Sequence, residues 1–228
     1  MRRITILLLA VISLFSCRER TQPEPEMATK KIDQGLKEKL ENILVLDQGV
    51  RELLQDDLTE EERKQILDKM DLSEQVLENG VFYLMQQIDS VNLAEVEKII
   101  DEHGYPGIDE VGMPANEAVF YVIQHSGKID EYLPLIRKAA ENGDISKKKL
   151  AMMEDRHLMR NGKEQIYGTQ IKGLNRNGEW FHFVWPIKDP DSVNALRKRI
   201  GLESMEEYVR KFDIEYKVMT LEQLNEFQ

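Results

Sequence analysis

Apolar residues recur about every three or four positions along most of this chain, and the pattern changes to alternation only between about 165 and 187. The first period lays apolar side chains along one face of a helix; the second lays them on one face of a strand. Leu36, Leu40, Ile43, Leu44, Val50 and Leu54 predict an amphipathic helix over about 34–55. On it, Asp47 and Arg51 stand four apart and are expected to form a surface ion pair. Thr59 and Glu62 make a capping box, each side chain satisfying a free backbone N–H of a first helical turn. The helix they open is expected to run through Ile66, Met70, Val76, Leu77 and Tyr83-Leu84, with Gly80 inside it. Asn92 with Glu95 then starts a short third helix, which Gly104 ends.

His103-Gly104-Tyr105-Pro106-Gly107 and Val111-Gly112-Met113-Pro114 read as tight loops. Pro114 opens the next helix, which carries Ala118 to His125. Asp130 and Ser146 cap two more, closed by Gly143 and Gly162. Over 165–172 and 179–187 the residues alternate or are β-prone, and Asn175-Arg176-Asn177-Gly178 between them is a hairpin signal. Trp180, Phe181, Phe183 and Trp185 sit at strand spacing, so one face of the second strand is expected to be core. Short helices follow over 192–200 and 204–212, the latter with a Ser204/Glu207 capping box, while 214–228 fits neither period. The fold class is therefore mainly α with a small β-hairpin (α+β): one helical domain over 31–228, with its hairpin at about 165–187.

The N-terminus departs from this amphipathic pattern. Arg2 and Arg3 precede an apolar run from Ile4 to Phe15, too short to span a bilayer, which takes roughly 20 residues. Leu14-Phe15-Ser16-Cys17 resembles a bacterial lipobox, and Cys17 is the only cysteine. The expectation is a lipoprotein signal peptide over 1–16, acyl chains on Cys17, and a tether over 17–30 around Pro23-Glu24-Pro25-Glu26. Each buried acyl methylene contributes about 0.8 kcal/mol, so such an anchor holds firmly. The expected address is the cell envelope, lipid-anchored at the periplasmic face of an outer membrane.

Charge narrows the partners. Removing Arg2 and Arg3 leaves 29 Lys and Arg against 42 acids, a net of −13. Nucleic acid is not an expected partner, since phosphates call for a basic face. His103, His125, His157 and His182 show no metal-ligand spacing, and no GxGxxG, P-loop or G-x-S-x-G occurs. No metal and no cofactor is expected.

Polar chemistry gathers in three places: Gln124-His125, Asp155-Arg156, and Gln165-Ile166-Tyr167-Gly168-Thr169-Gln170. With Asp47-Gln48-x-x-Arg51, Gly104-Tyr105-Pro106 and Val111-Gly112, these motifs make the chain resemble an uncharacterised bacterial family, a domain of unknown function, from about 36 to 210. The resemblance implies a site and supplies no reaction. From the residues themselves, His125 is the natural general acid/base, because imidazole titrates near neutrality. Asp155 is expected to orient it, and Arg156 to offer a fork to a carboxylate or phosphate. Gly168 lets backbone approach closely; Thr169 is either a nucleophile or a hydrogen-bond donor to ligand. Gln124, Gln165, Tyr167, Gly168 and Gln170 are the expected ligand-binding residues.

Each cluster alone also has a structural reading: a helix-end His, a buried Asp-Arg element, a bulged strand. Together they predict one shared pocket. Three functions stay open: a lipid-anchored module binding a small polar or peptide ligand, a hydrolase or transferase using His125, or an internal polar network with no ligand. Full burial and mutual satisfaction would mark the network; solvent access would mark a site.

Overall fold

The helical period of the sequence is carried into three packed apolar clusters. The computed structural model describes residues 31–226 except 177. The leader, Cys17, the tether and Asn177 of the hairpin turn lie outside the described residues. α1 (Gln34–Glu52) begins where the Asp33 carboxylate accepts the Leu36 N–H at 3.0 Å. α2 (Glu60–Lys69) opens with the Thr59/Glu62 capping box, as expected. α3 (Val81–His103), α4 (Ile108–Val111) and α5 (Ala118–His125) follow, α5 being preceded by a 3-10 turn over Ala115–Glu117. α6 (Ile129–Asn142) and α7 (Lys147–Arg160) lie side by side.

The largest cluster joins Leu40 of α1, Val96 of α3, Phe120 and Ile123 of α5, Ile136 of α6 and Met153 of α7. A second gathers Val50, Leu53, Ile66, Leu67, Met70, Leu84 and Ile88 where α1, α2 and α3 meet. β1 (Ile171–Arg176) and β2 (Glu179–Val184) pair antiparallel, with Ile171 opposite Val184. α8 (Val193–Arg199), α9 (Met205–Arg210) and α10 (Leu221–Glu226) complete the chain. Val184, Ile187, Val193, Met205 and Val209 form the third cluster, beneath the hairpin. The fold is mainly α with a two-stranded sheet, as the patterning predicts. No helix of the described residues is long and apolar enough to cross a membrane.

Several expected elements are corrected. The long helix from Thr59 stops at Met70, because Asp71 takes a positive φ of 54° and a 3-10 turn (Glu74–Leu77) follows. Gly80, at φ 87°, lies between helices and not within one. Asn92 does not start a helix. It sits inside α3, buried, and donates Nδ2 to the Ile43 carbonyl at 3.3 Å, a tertiary acceptor that replaces the capping role. Asp130 lies in the first turn of α6, one residue inside it, with Lys128 at the cap. Only Ile171 and Lys172 of the expected strand over 165–172 are paired as strand. Upstream, Gln165 makes an isolated parallel bridge with Ile187 and the rest is loop. The aromatic residues of β2 do not make a core face: Trp180 on one face is 66 % and Phe181 on the other 51 % exposed, while Val184 and, just past the strand, Trp185 are buried, and Trp185 donates its indole N–H to the Lys163 carbonyl at 2.8 Å.

Candidate functional site

Asp155 and Arg156 are consecutive on α7, so their side chains leave the helix about 100° apart. Asp155 turns inward and is fully buried. Its carboxylate accepts the backbone N–H groups of Ile166 (2.7 Å), Tyr167 (3.0 Å) and Thr169 (2.9 Å), and the Thr169 hydroxyl (2.9 Å). Burial raises its pKa, and these four donors pull the other way. The backbone can present three amides to one carboxylate because Gly168 adopts φ 69°, a turn that a strand cannot make. A Cβ at Gly168 would stand 2.5 Å from Met205 Sδ and 2.9 Å from Ile187 Cδ1.

The other polar groups of this loop are also satisfied. Gln165 Nε2 donates to the carbonyls of Gln170 (3.1 Å) and Trp185 (2.6 Å), and its Oε1 accepts the Gln170 N–H at 2.8 Å. Arg197 Nη1 donates to the carbonyls of Tyr167 (2.7 Å) and Gly168 (3.2 Å) while its guanidinium stacks 4.8 Å from the Tyr208 ring. Tyr208 donates its hydroxyl to the Thr169 carbonyl at 2.7 Å. Gln170 Nε2 donates to the Thr169 hydroxyl at 3.0 Å and to the Met152 carbonyl at 3.2 Å. Thr169 therefore commits its proton to a buried carboxylate.

His125 ends α5 and meets a different acid. Its Nδ1 lies 3.0 and 3.1 Å from the two oxygens of Asp47, so the carboxylate that orients it is Asp47 of α1, and not Asp155, which is consumed by the loop. Asp47 is only 1 % exposed, so its contact with Arg51 is no surface ion pair. Gln48 Nε2 donates to it at 2.7 Å, Arg51 Nη1 lies 3.3 Å from Oδ1, and Arg51 Nη2 is held by Asp89 at 2.8 Å. With Nδ1 against Asp47, His125 Nε2 has no hydrogen bond among the described residues. It is not a buried unsatisfied atom either, so it reaches solvent.

Arg156 turns the other way from Asp155. Its Nε donates to Gln170 Oε1 at 3.0 Å and its Nη1 to the Gln124 carbonyl at 3.3 Å. Arg160, one helical turn on, donates Nη1 to the Ser126 carbonyl at 2.5 Å. Two guanidiniums thus satisfy carbonyls left free at the end of α5, on either side of His125. Arg156 is half-buried and has no carboxylate partner among the described residues, and its Nη2 has no protein acceptor yet reaches solvent. Desolvation, then Arg160 and Arg51, push its pKa down. In a chain of net charge −11, a half-buried arginine with no acid on it stands out.

The expected residues thus divide between two neighbouring places. Asp155, Gln165, Thr169 and Gln170, with the backbone of Tyr167 and Gly168, form a closed network; His125 and Arg156 border solvent, with the Gln124 backbone between them. Gln170 joins the two through Arg156. Asp47, Arg51, Arg160 and Arg197 were not among the expected site residues. The Asp47-Gln48-x-x-Arg51 spacing signalled the first two, whereas Arg197 lies in a basic run that reads as solvated. No group of three or more His, Cys, Asp or Glu placed to hold a metal occurs among the described residues. A family model described as a family of unknown function (DUF6624) matches residues 51–220. No curated protein and no solved structure matches the chain.

Proposed function

The chain belongs to the DUF6624 family, whose function is unknown, and from that premise we propose that it is a lipid-anchored protein of the bacterial cell envelope. In this reading it binds a small polar or peptide ligand at the rim formed by His125 and Arg156. The charged start, short apolar run and Ser16-Cys17 junction support the anchor. One observation carries the binding half. His125 Nε2 and Arg156 Nη2 are polar atoms on half-buried side chains whose other nitrogens are held by protein, so they are fixed in place but unoccupied by any protein group. The closed Asp155 network gives that rim a rigid floor.

Two measurements test this. Radiolabelled palmitate should label the wild-type chain and not Cys17→Ala; label on the variant overturns the anchor. The His125 Cε1–H resonance should move when some members of a panel of small polar compounds and short peptides are added. A resonance that no member moves overturns the binding site.

A second reading is favoured by the Asp47–His125 contact. A carboxylate on Nδ1 fixes the tautomer that leaves Nε2 free to take or give a proton, as a general acid/base requires. Ligand recovered chemically altered from the wild type, and unaltered from His125→Ala, would make the protein a hydrolase or transferase.

A further inference from the structure

We infer that the rim formed by His125, Arg156 and Arg160 is an oxyanion subsite that takes the carboxylate or phosphate group of the ligand. This rests on the ligand-binding reading above and names the chemistry of what binds.

The inference starts from an imbalance. Arginine carries five N–H donors and cannot shed its charge, so a half-buried guanidinium ordinarily faces a carboxylate. Arg156 faces two neutral oxygens, Gln170 Oε1 and the Gln124 carbonyl, and its charged neighbours are Arg51 and Arg160. The acids nearby are already engaged. Asp47 is held by His125, Gln48 and Arg51, and Asp89 by Arg51. Asp130 feels Arg160, but its carboxylate pairs with His157 at 2.6 Å and accepts from Asn161. Asp155 spends its oxygens on the loop amides.

Capping the last carbonyls of α5 explains one donor on each arginine and leaves the rest. Arg156 Nη2 presents paired hydrogens to solvent, in the planar geometry that oxyanions accept. Arg160 is exposed, and one of its nitrogens is tied to the carbonyl of Ser126, the residue after His125. His125 Nε2 adds a donor whenever the imidazole is protonated. Three donor groups therefore ring one stretch of backbone, 124–126, and the central one, Arg156, has no carboxylate on it. An anion arriving there gives Arg156 the charged partner that its protein neighbours do not supply, which a neutral polar ligand cannot do.

The test uses the full-length, isotope-labelled chain, with sodium phosphate and sodium acetate as separate probes at constant ionic strength. Saturable movement of the His125 Cε1–H and arginine Nε–H resonances with either probe is expected. Phosphate alone indicates a tetrahedral group, acetate alone a planar one, and both the shared chemistry. Arg160→Gln, which leaves the fold's buried contacts in place, should weaken the affinity about tenfold, and Arg156→Gln by more. If Arg156→Gln fails to fold, Arg156→Lys keeps the charge while removing the fork and should still weaken binding. No movement with either anion, or titrations that Arg160→Gln and the Arg156 variants leave unchanged, overturns the inference. Neutral compounds that move His125 while both anions leave it still would overturn the oxyanion assignment alone. Silence with every probe would overturn the ligand-binding reading with it.

Discussion

Asp155 and Arg156 share a peptide bond and occupy opposite kinds of environment. On the Asp155 side every charge and dipole has an answer: three amides and a hydroxyl meet one carboxylate, and no solvent reaches it. On the Arg156 side two donors are answered by neutral carbonyl oxygens, further donors point outward, and the next charges are of the same sign. Closure of the first kind specifies a conformation; a remainder of the second kind is what a ligand can use. Polar residues crowded at one helix end are thus not one functional unit. The difference lies in which of their atoms are already spoken for.

The contrast can be broken most forcefully at Asp155. Asp155→Ala leaves three amides and a hydroxyl buried without their acceptor and should cost roughly 3–5 kcal/mol, read from the midpoint of urea unfolding. A loss under about 1 kcal/mol would show that the loop finds other partners and that the closed side is not closed. Gly168→Ala should cost about 1–3 kcal/mol in the same assay, because the φ is positive and the new methyl meets Met205 and Ile187. An unchanged midpoint there would reject the turn as the device that aims the amides.

His125→Ala sharpens the comparison from the open side. Asp47 keeps Gln48 and Arg51 in this variant, so the expected loss is only about 1 kcal/mol, whereas ligand-induced shifts at the rim disappear. A loss near that of Asp155→Ala would move His125 into the closed network. The smallest effect is on titration. Burial raises the Asp155 pKa above its ordinary value of 3.8, so the folded chain holds this proton more tightly than the unfolded one. The linked stabilisation is complete below about 3.8 and is lost as pH rises through the folded-state value. The Asp155 carboxyl carbon should therefore titrate in the folded protein with a midpoint above 3.8; a lower midpoint means that the donors outweigh burial.

Much of the fold was legible because its signals are local. The Thr59/Glu62 and Ser204/Glu207 boxes stand where their residues predict, since capping is decided within one turn. Asn92 was misread for the complementary reason: its partner is the carbonyl of Ile43, on another helix, and no local pattern announces it. The loop over 165–170 reads as strand because its β-prone residues alternate, but its backbone groups bind side chains from α7 and α8. At the site, residue types were legible and pairings were not. His125 needed a carboxylate; sequence alone pointed to Asp155 and set Asp47 in a surface pair with Arg51, and only the packing of α1 against α5 makes Asp47 the partner. Arg197, buried over the Tyr208 ring, was illegible, because the sequence around it is that of a solvent-facing helix end.

The loop between α7 and β1 is gripped on both faces, its amides by an acid and its carbonyls by Arg197. An acid and an arginine that would otherwise neutralise each other directly are held apart by peptide groups, whose dipoles lie between them. The consequence is mechanical. α7 and α8 cannot be drawn apart without stretching amide and carbonyl contacts at once, so force applied at the C-terminal end is carried through irregular backbone into the helical body. A segment without regular secondary structure here serves as the tie that makes the two parts yield together.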